Sequence, residues 1–262
     1  VDKVGLVAAA LLALAVGGYH LFMAPSSRLF GRYPHRGPGT ERLVALTFDD
    51  GPNEPYTSQI AHLLEERGIR GTFFQVGRCV QRHPEVTARL FNAGHVIGNH
   101  SLTHRFGTYL RPRRFSAEVV CTQRLLSALL GRTPALARTP WLWRTPSILR
   151  TLRHTGLRPV AGVFAHAAEV FQPDARRIAR RAIAKARPGA MLIFHDGFDA
   201  RGGRRAETVR AVALTVDALA QQGYRFVTVD QLLGLDAYQS PDYPNSGKRC
   251  ASPSGGGPLR RT

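Results

Sequence analysis

Apolar residues along this chain fall into short runs and helical stripes, preceded by one long uninterrupted stretch. From Val4 to Ala24 nearly every residue is apolar, enough for a helix of about 30 Å, the depth of a bilayer core. Residues 25–40 are rich in Pro, Gly, Ser and Arg and read as a linker. Beyond them come runs suited to strands: Leu43–Phe48, Thr72–Val76, His95–Gly98, Ala135–Arg138, Pro159–Phe164, Ala190–Phe194 and Arg225–Val229. Helical patterns lie between, at Thr57–Arg67, Pro84–Ala93, Ser116–Leu130, Ser147–His154, Asp174–Ala186 and Glu207–Gln221. Several of these stop at a glycine, as a left-handed helix end requires. Strands alternating with crossover helices predict a parallel α/β sheet, and periodicity alone leaves it open or closed. After Leu235 the pattern ends. The expected organisation is an apolar segment over 1–24, a linker over 25–40, one domain over 41–236 and a disordered tail over 237–262.

The apolar segment reads as an uncleaved membrane anchor or a signal segment. A cut after Ala24 would leave Pro25 directly behind it, which favours the anchor. Lys3 is the one cation ahead of the segment, whereas Arg28, Arg32 and Arg36 follow it. That distribution opposes the positive-inside tendency, and a longer native N-terminus would resolve the conflict. A buried helix of a soluble protein is the other option, which the Gly17-Gly18 pair leaves open. The expected location is outside the cytoplasmic membrane, anchored, or secreted if the segment is removed.

Composition narrows the picture only a little. With 262 residues there is room for one sizeable α/β domain and short appendages. The formal net charge of +18 is carried almost entirely by arginine. It suits anionic wall polymers or phospholipid headgroups, or simply a solvated basic surface. No nucleic-acid-binding module is recognisable, so no nucleic acid partner is expected. Cys79, Cys121 and Cys250 lack the spacing of a thiolate zinc site. Cys121 falls in an apolar helical pattern and reads as core. A Cys79–Cys121 bridge is open, with nothing in the spacing to favour it.

The chemistry is concentrated at strand ends. Thr47-Phe48-Asp49-Asp50-Gly51-Pro52 closes the first run, and His100-Ser101-Leu102-Thr103-His104 follows the third. On their own, the two aspartates could merely cap a turn. Two imidazoles at i and i+4, set on one side of a helical turn, can share an ion. With an acidic pair they offer a metal one carboxylate and two nitrogens, and leave a second carboxylate as a base. Alternation along a strand points Asp49 and Asp50 to opposite faces, so the backbone must bend for both to serve one centre. His62, His83, His95 and His154 have no such pairing and read as structural.

Two further segments complete the set: Arg138-Thr139-Pro140-Trp141, and the apolar run Met191-Leu192-Ile193-Phe194 ending in His195-Asp196-Gly197. Together these strings resemble the polysaccharide deacetylases of the NodB homology type (carbohydrate esterase family 4), over approximately residues 41–235. The resemblance implies a distorted (β/α)7 barrel with its site at the C-terminal strand ends. It implies that Asp50, His100 and His104 are metal ligands and that Asp49 is the general base. It makes Arg138 the residue that orients Asp49, the Trp141 amide an oxyanion donor, His195 the general acid and Ile193 part of the acetyl pocket. One divalent ion is implied. Zinc is the default for a redox-free hydrolase, while cobalt, nickel or iron would accept the same ligands.

The chain departs from the family pattern in two places. Leu142 stands where a glycine usually follows the aromatic residue, and Arg144-Thr145-Pro146 is a second, weaker candidate for the Arg-x-Pro motif. Between Val160 and Phe171 the usual Asp-Trp is missing. Glu169 is the possible carboxylate partner of His195, and His166 is the other option. The expected activity is N-deacetylation of a glycan containing N-acetylglucosamine, peptidoglycan or a chitin-like oligomer, with the membrane met through the N-terminal segment. A polysaccharide O-acetyl esterase and a tethered glycan-binding protein with weakened catalysis are the alternatives.

Overall fold

The computed structural model describes residues 3–240. Its centre is strand β1 (Leu43–Asp49), in which every residue after Leu43 is buried. Such a run, covered on both faces, is what a parallel sheet between helices demands. The other strands are β2 (Thr72–Gln75), β3 (Val96–Asn99), β4 (Leu136–Ala137), β5 (Arg158–Pro159), β6 (Val163–Phe164), β7 (Ala190–His195) and β8 (Arg225–Phe226). They lie in the order β5-β4-β3-β2-β1-β7-β6, all parallel. β8 pairs with the first residues of β1, while β2 takes its last three. The two edges of the sheet, β5 and β6, are consecutive in the chain. The sheet therefore curls into the expected distorted barrel, interrupted where residues 160–162 pass from one edge to the other.

That passage explains why the apolar run Pro159–Phe164 forms two strands instead of one. The Val160 N–H donates to the Ala137 carbonyl and the Ala161 N–H to the Pro34 carbonyl. The Ala161 carbonyl accepts from Arg138. With its backbone groups engaged in this way, the middle of the run leaves one ladder before it joins the next. Arg225–Val229 is likewise shorter than expected, because Thr228 and Gln231 form a capping box that starts the helix Val229–Leu233.

Helices cover the sheet where the stripes predict them: Tyr56–Glu65, Pro84–Asn92, Pro112–Leu130, Pro146–His154, Ala175–Lys185 and Ala206–Gln221. In the longest, Phe115, Val119, Thr122, Leu126 and Leu130 recur at helical spacing and are buried. Gly131, at φ 65°, ends it. Phe48 stacks between Phe73 and Phe194, with ring centroids 4.7 and 6.1 Å away, at the heart of the core.

The N-terminal helix α1 (Lys3–Phe22) is long and apolar enough to cross a membrane, and none of its residues is buried. It is therefore not a core helix. The stretch 25–40, read from composition as a linker, is packed onto the domain. Tyr33 is 1 % exposed. Gly37 donates to Gly189, and Arg36 bridges to Ala190. Arg144 is fully buried and donates to the carbonyls of Ala24 (2.9 Å) and Ser27 (2.5 Å). At the other end, Ala237 and Gln239 bond the backbone beside β4. The rest of the expected tail, from residue 241, lies outside the described residues. Cys79 is a free, buried thiol, so the Cys79–Cys121 bridge is not formed. Cys121 is half-buried instead of core.

Candidate active site

Register places the first pair. Asp49 and His195 are direct partners across β1 and β7, so their side chains leave the sheet on the same side. Asp50, the next residue, has φ 77°. This left-handed backbone is the bend that alternation required, and it brings the second carboxylate back to the same centre.

His100 follows β3 directly, but His100 to His104 is not a helical turn. It is a loop with left-handed residues at Ser101 (φ 66°) and His104 (φ 54°). Glu118 holds this loop by accepting from the Thr103 N–H and from the hydroxyls of Thr103 and Thr108. The rings still converge, with centroids 5.2 Å apart. Their Nε2 atoms lie 3.3 Å (His100) and 3.0 Å (His104) from Asp50 Oδ1. That oxygen is buried and makes no hydrogen bond. One ligand atom from each of the three residues lies within 4.8 Å of the others.

An orphaned carboxylate oxygen facing two imidazole nitrogens is a donor set that fits a divalent ion. The far ring nitrogen of His100 is fixed by a backbone carbonyl, and that of His104 lies close to a carboxylate without hydrogen-bond geometry. His100 Nδ1 lies 2.7 Å from the Arg138 carbonyl, and His104 Nδ1 is 2.8 Å from Asp199 Oδ1. Burial works against the charge of Asp50, but the neighbouring imidazoles outweigh it and hold its carboxyl well below the usual range. Burial pulls His104 down, yet the charges of Asp50 and Asp199 lift it to about 10.

Asp49 is held by Arg138, which is 1 % exposed. Nη1 donates to Asp49 Oδ1 and to Thr47 Oγ1, both at 2.7 Å, and Nη2 donates to the Ala161 carbonyl at 2.8 Å. The guanidinium also sits 4.3 Å from the centre of the Phe74 ring. Arg144 does not duplicate this role, since its guanidinium is spent on the chain after α1. After Arg138 the loop turns through left-handed residues at Trp141 (φ 53°) and Leu142 (φ 58°). The second of these is the position where the resemblance led to an expectation of glycine, and its left-handed backbone is one that glycine adopts without strain. Leu142 compensates by burying its side chain with Tyr33, Ala161 and Ile193. The Trp141 ring lies 4.4 Å from that of His104. Ile193 is fully buried beneath the site, at register with Thr47.

His195 faces Glu169. Glu169 Oε2 is 2.5 Å from His195 Nδ1, and its Oε1 accepts from the Thr208 hydroxyl at 2.5 Å. The carboxylate in the divergent stretch is thus the partner of the histidine. His166 instead accepts from the Ala168 N–H at the pocket rim. Burial lowers the His195 pKa, but Glu169, helped by Asp50 and Asp49, raises it to about 9. Phe164 lies parallel to the His195 ring, 6.0 Å away. Asp196 points away to Thr57, and burial with the nearby carboxylates lifts its pKa to about 7.

Sequence reasoning missed several supporting residues. Thr47 was within reach, because it sits two residues before Asp49 on the same strand face. Asp199, Thr208 and Glu118 carry no motif and reach the site only through the fold. So do Tyr19 and Met23, which line a cavity of ≈ 490 Å³ together with Asp49, Asp50, His100, His104, Trp141 and His195.

A curled parallel sheet carries at its C-terminal strand ends an Asp-His-His cluster flanked by the Arg138–Asp49 and Glu169–His195 pairs, an arrangement of the kind hydrolases use. Residues 36–160 match the polysaccharide deacetylase family. The chain is 30% identical over 197 residues to a peptidoglycan-N-acetylglucosamine deacetylase of Bacillus cereus, covering 75% of this chain and 90% of that one. It is 32% identical over 199 residues to a chitooligosaccharide deacetylase of Bradyrhizobium, covering 73% and 90%. The solved structure of a peptidoglycan N-acetylglucosamine deacetylase superposes with a TM-score of 0.73 at 26% identity, covering 79% of this chain and 95% of that chain. The protein belongs to the polysaccharide deacetylase family, of the NodB type.

Proposed function

We propose that this protein is a metal-dependent hydrolase that removes N-acetyl groups from N-acetylglucosamine units of cell-envelope glycan. The observation that carries the reading is the convergence of Asp50, His100 and His104 on one point, beside an Asp49 held by Arg138 and a His195 held by Glu169. The names of the peptidoglycan-N-acetylglucosamine and chitooligosaccharide deacetylases that the chain resembles point the same way.

Asp50, His100 and His104 would hold a divalent ion, zinc by default, which would supply Lewis acidity at the site. Asp49 takes the proton of the attacking water, and Arg138 keeps that carboxylate aimed. The Trp141 N–H meets the negative charge developing on the carbonyl oxygen. His195, protonated through its contact with Glu169, gives a proton to the departing nitrogen, and acetate leaves. Ile193, expected in the acetyl pocket, does not line the cavity itself but backs its lining residues Leu142 and Phe164. Glu169 supplies the carboxylate that the altered segment had put in question, which favours catalysis over a binding role. The exposed apolar helix α1 serves as a membrane anchor, with the domain on the outer side.

The test is acetate release by the full chain in detergent, after chelation and with zinc restored. The substrates are N-acetylglucosamine oligomers, peptidoglycan and acetylated xylan. Zinc-restored release from the first two, absent in Asp49→Asn, is expected. Release from xylan alone would replace the amidase with an esterase, and no release by zinc-loaded protein would defeat the hydrolase reading.

A further inference from the structure

The end of α1 is part of the active site. Tyr19 and Met23 line the same cavity as the catalytic residues. The join between helix and domain is tight: Phe22 stacks on Trp143 at 5.2 Å, and the Phe22 carbonyl accepts from the Arg144 N–H. Arg144 then ties down the next turn of chain through Ala24 and Ser27. A helix of 20 residues spans about 30 Å. A membrane crossed by α1 therefore ends within about one helical turn of the cavity.

The surroundings of the opening agree with that placement. Outside α1, the large apolar side chains exposed among the described residues are Leu29, Phe106, Leu110, Phe171 and Leu214. All but Leu214 belong to segments at the helix end or the cavity. Leu29 precedes Phe30, which packs on Phe22. Phe106 touches both Trp141 and Trp143, and Leu110 closes the same short helix. Phe171 follows Val170, a lining residue. Exposed Arg28, Arg32 and Arg105 flank these apolar positions in the chain. Aromatic and apolar tips interleaved with arginine are the composition of a surface resting among lipid headgroups. Within the cavity, Met23, Leu142, Phe164, Val170 and Phe198 give an apolar lining in addition to the catalytic groups.

We propose that the mouth of the active site is seated at the bilayer surface and accepts an N-acetylated amino sugar carried on a membrane lipid, with Tyr19 and Met23 as substrate-contacting wall residues. The proposal rests on the deacetylase reading above. The sugar enters between the helix end and the Trp141 loop, and its lipid stays in the membrane beside α1. Polymer remote from the membrane does not reach this opening as readily.

The experiment uses the full chain, zinc-loaded, in lipid nanodiscs. One probe is N-acetylglucosamine joined by a short spacer to a dialkyl lipid, placed in the same disc. The other is soluble tetra-N-acetylchitotetraose. Turnover is measured for the unaltered protein, for Tyr19→Ala/Met23→Ala, and for Leu11→Ala, which alters α1 far from the cavity. Binding of both probes to Asp49→Asn is followed by the fluorescence of Trp141 and Trp143, the chain's two tryptophans. The expected result is kcat/KM at least about tenfold higher on the lipid-carried sugar, with KM raised about five- to tenfold in the double variant and unchanged in Leu11→Ala. Both probes turned over equally well, or a KM indifferent to Tyr19 and Met23, would overturn the proposal. Should neither probe be hydrolysed, fluorescence still decides: saturable binding of the lipid probe that weakens in the double variant upholds the placement while the deacetylase reading fails. No binding of the lipid probe overturns the placement as well.

Discussion

Glu169 reaches His195 across the site, 2.5 Å from its Nδ1, from a stretch that lacks the usual motif of the family. The carboxylate is 1 % exposed, and its other oxygen is bonded to Thr208. A buried carboxylate at that distance favours the imidazolium and fixes which ring nitrogen faces the substrate.

With the His195 pKa raised to about 9, the protonated acid persists through neutral pH and is lost as pH rises through about 9. The rate should therefore fall on the alkaline side there. The pair also adds stability that is complete below about pH 6.5 and fades as pH climbs to about 9. Glu169→Gln should move the alkaline limb of kcat down by about one unit or more. A pH–rate profile of the two proteins checks this, and superimposable limbs would count against the assigned pair.

Arg138 and Asp49 form a fully buried ion pair. Removing one member leaves an unpaired charge, at a cost of about 3–5 kcal/mol. Arg138→Ala should lower stability by that amount in denaturant titration, besides abolishing turnover. Arg138→Lys should recover little, because one ammonium cannot span Thr47, Asp49 and the Ala161 carbonyl as the planar fork does.

Leu142 sets two effects against each other. Its φ of 58° costs about 1–2 kcal/mol for a non-glycine residue. Its side chain is 1 % exposed, and truncating a buried leucine costs about 2–5 kcal/mol. Packing is the larger of the two. Leu142→Gly should be less stable by about 1–3 kcal/mol despite the relaxed backbone, as measured by thermal or denaturant unfolding.

Metal uptake tests the ligand set separately from catalysis. His104→Ala and Asp50→Asn should each fail to retain one zinc per chain after dialysis, whereas Asp49→Asn should retain it, by elemental analysis. A His104→Ala protein that holds zinc at full stoichiometry would remove that histidine from the set.

The residues that converge at the candidate site were legible because they travel in short strings placed at strand ends. Asp49-Asp50, His100 with His104, Arg138 and His195 are each announced by neighbours in the chain, and the need for a bend at Asp50 followed from strand alternation alone. The strand and helix stripes were legible for a similar reason, since burial on a regular element repeats at its own period. Where a run crossed a topological break, as at Pro159–Phe164, hydrophobicity showed burial but not which ladder would take the backbone hydrogen bonds.

Local periodicity and short motifs thus encode an α/β domain, an apolar helix ahead of it, and the Asp, His and Arg residues that converge at the candidate site. Tertiary structure alone decided the contacts between residues far apart in the chain. It chose Glu169 over His166 as the partner of His195, joined Asp199 to His104, and turned a Pro- and Arg-rich stretch into a packed strap under Arg144. It also brought Tyr19 and Met23 into the cavity of the candidate site. Such contacts depend on how elements pack in three dimensions, and no spacing along the chain records that distance.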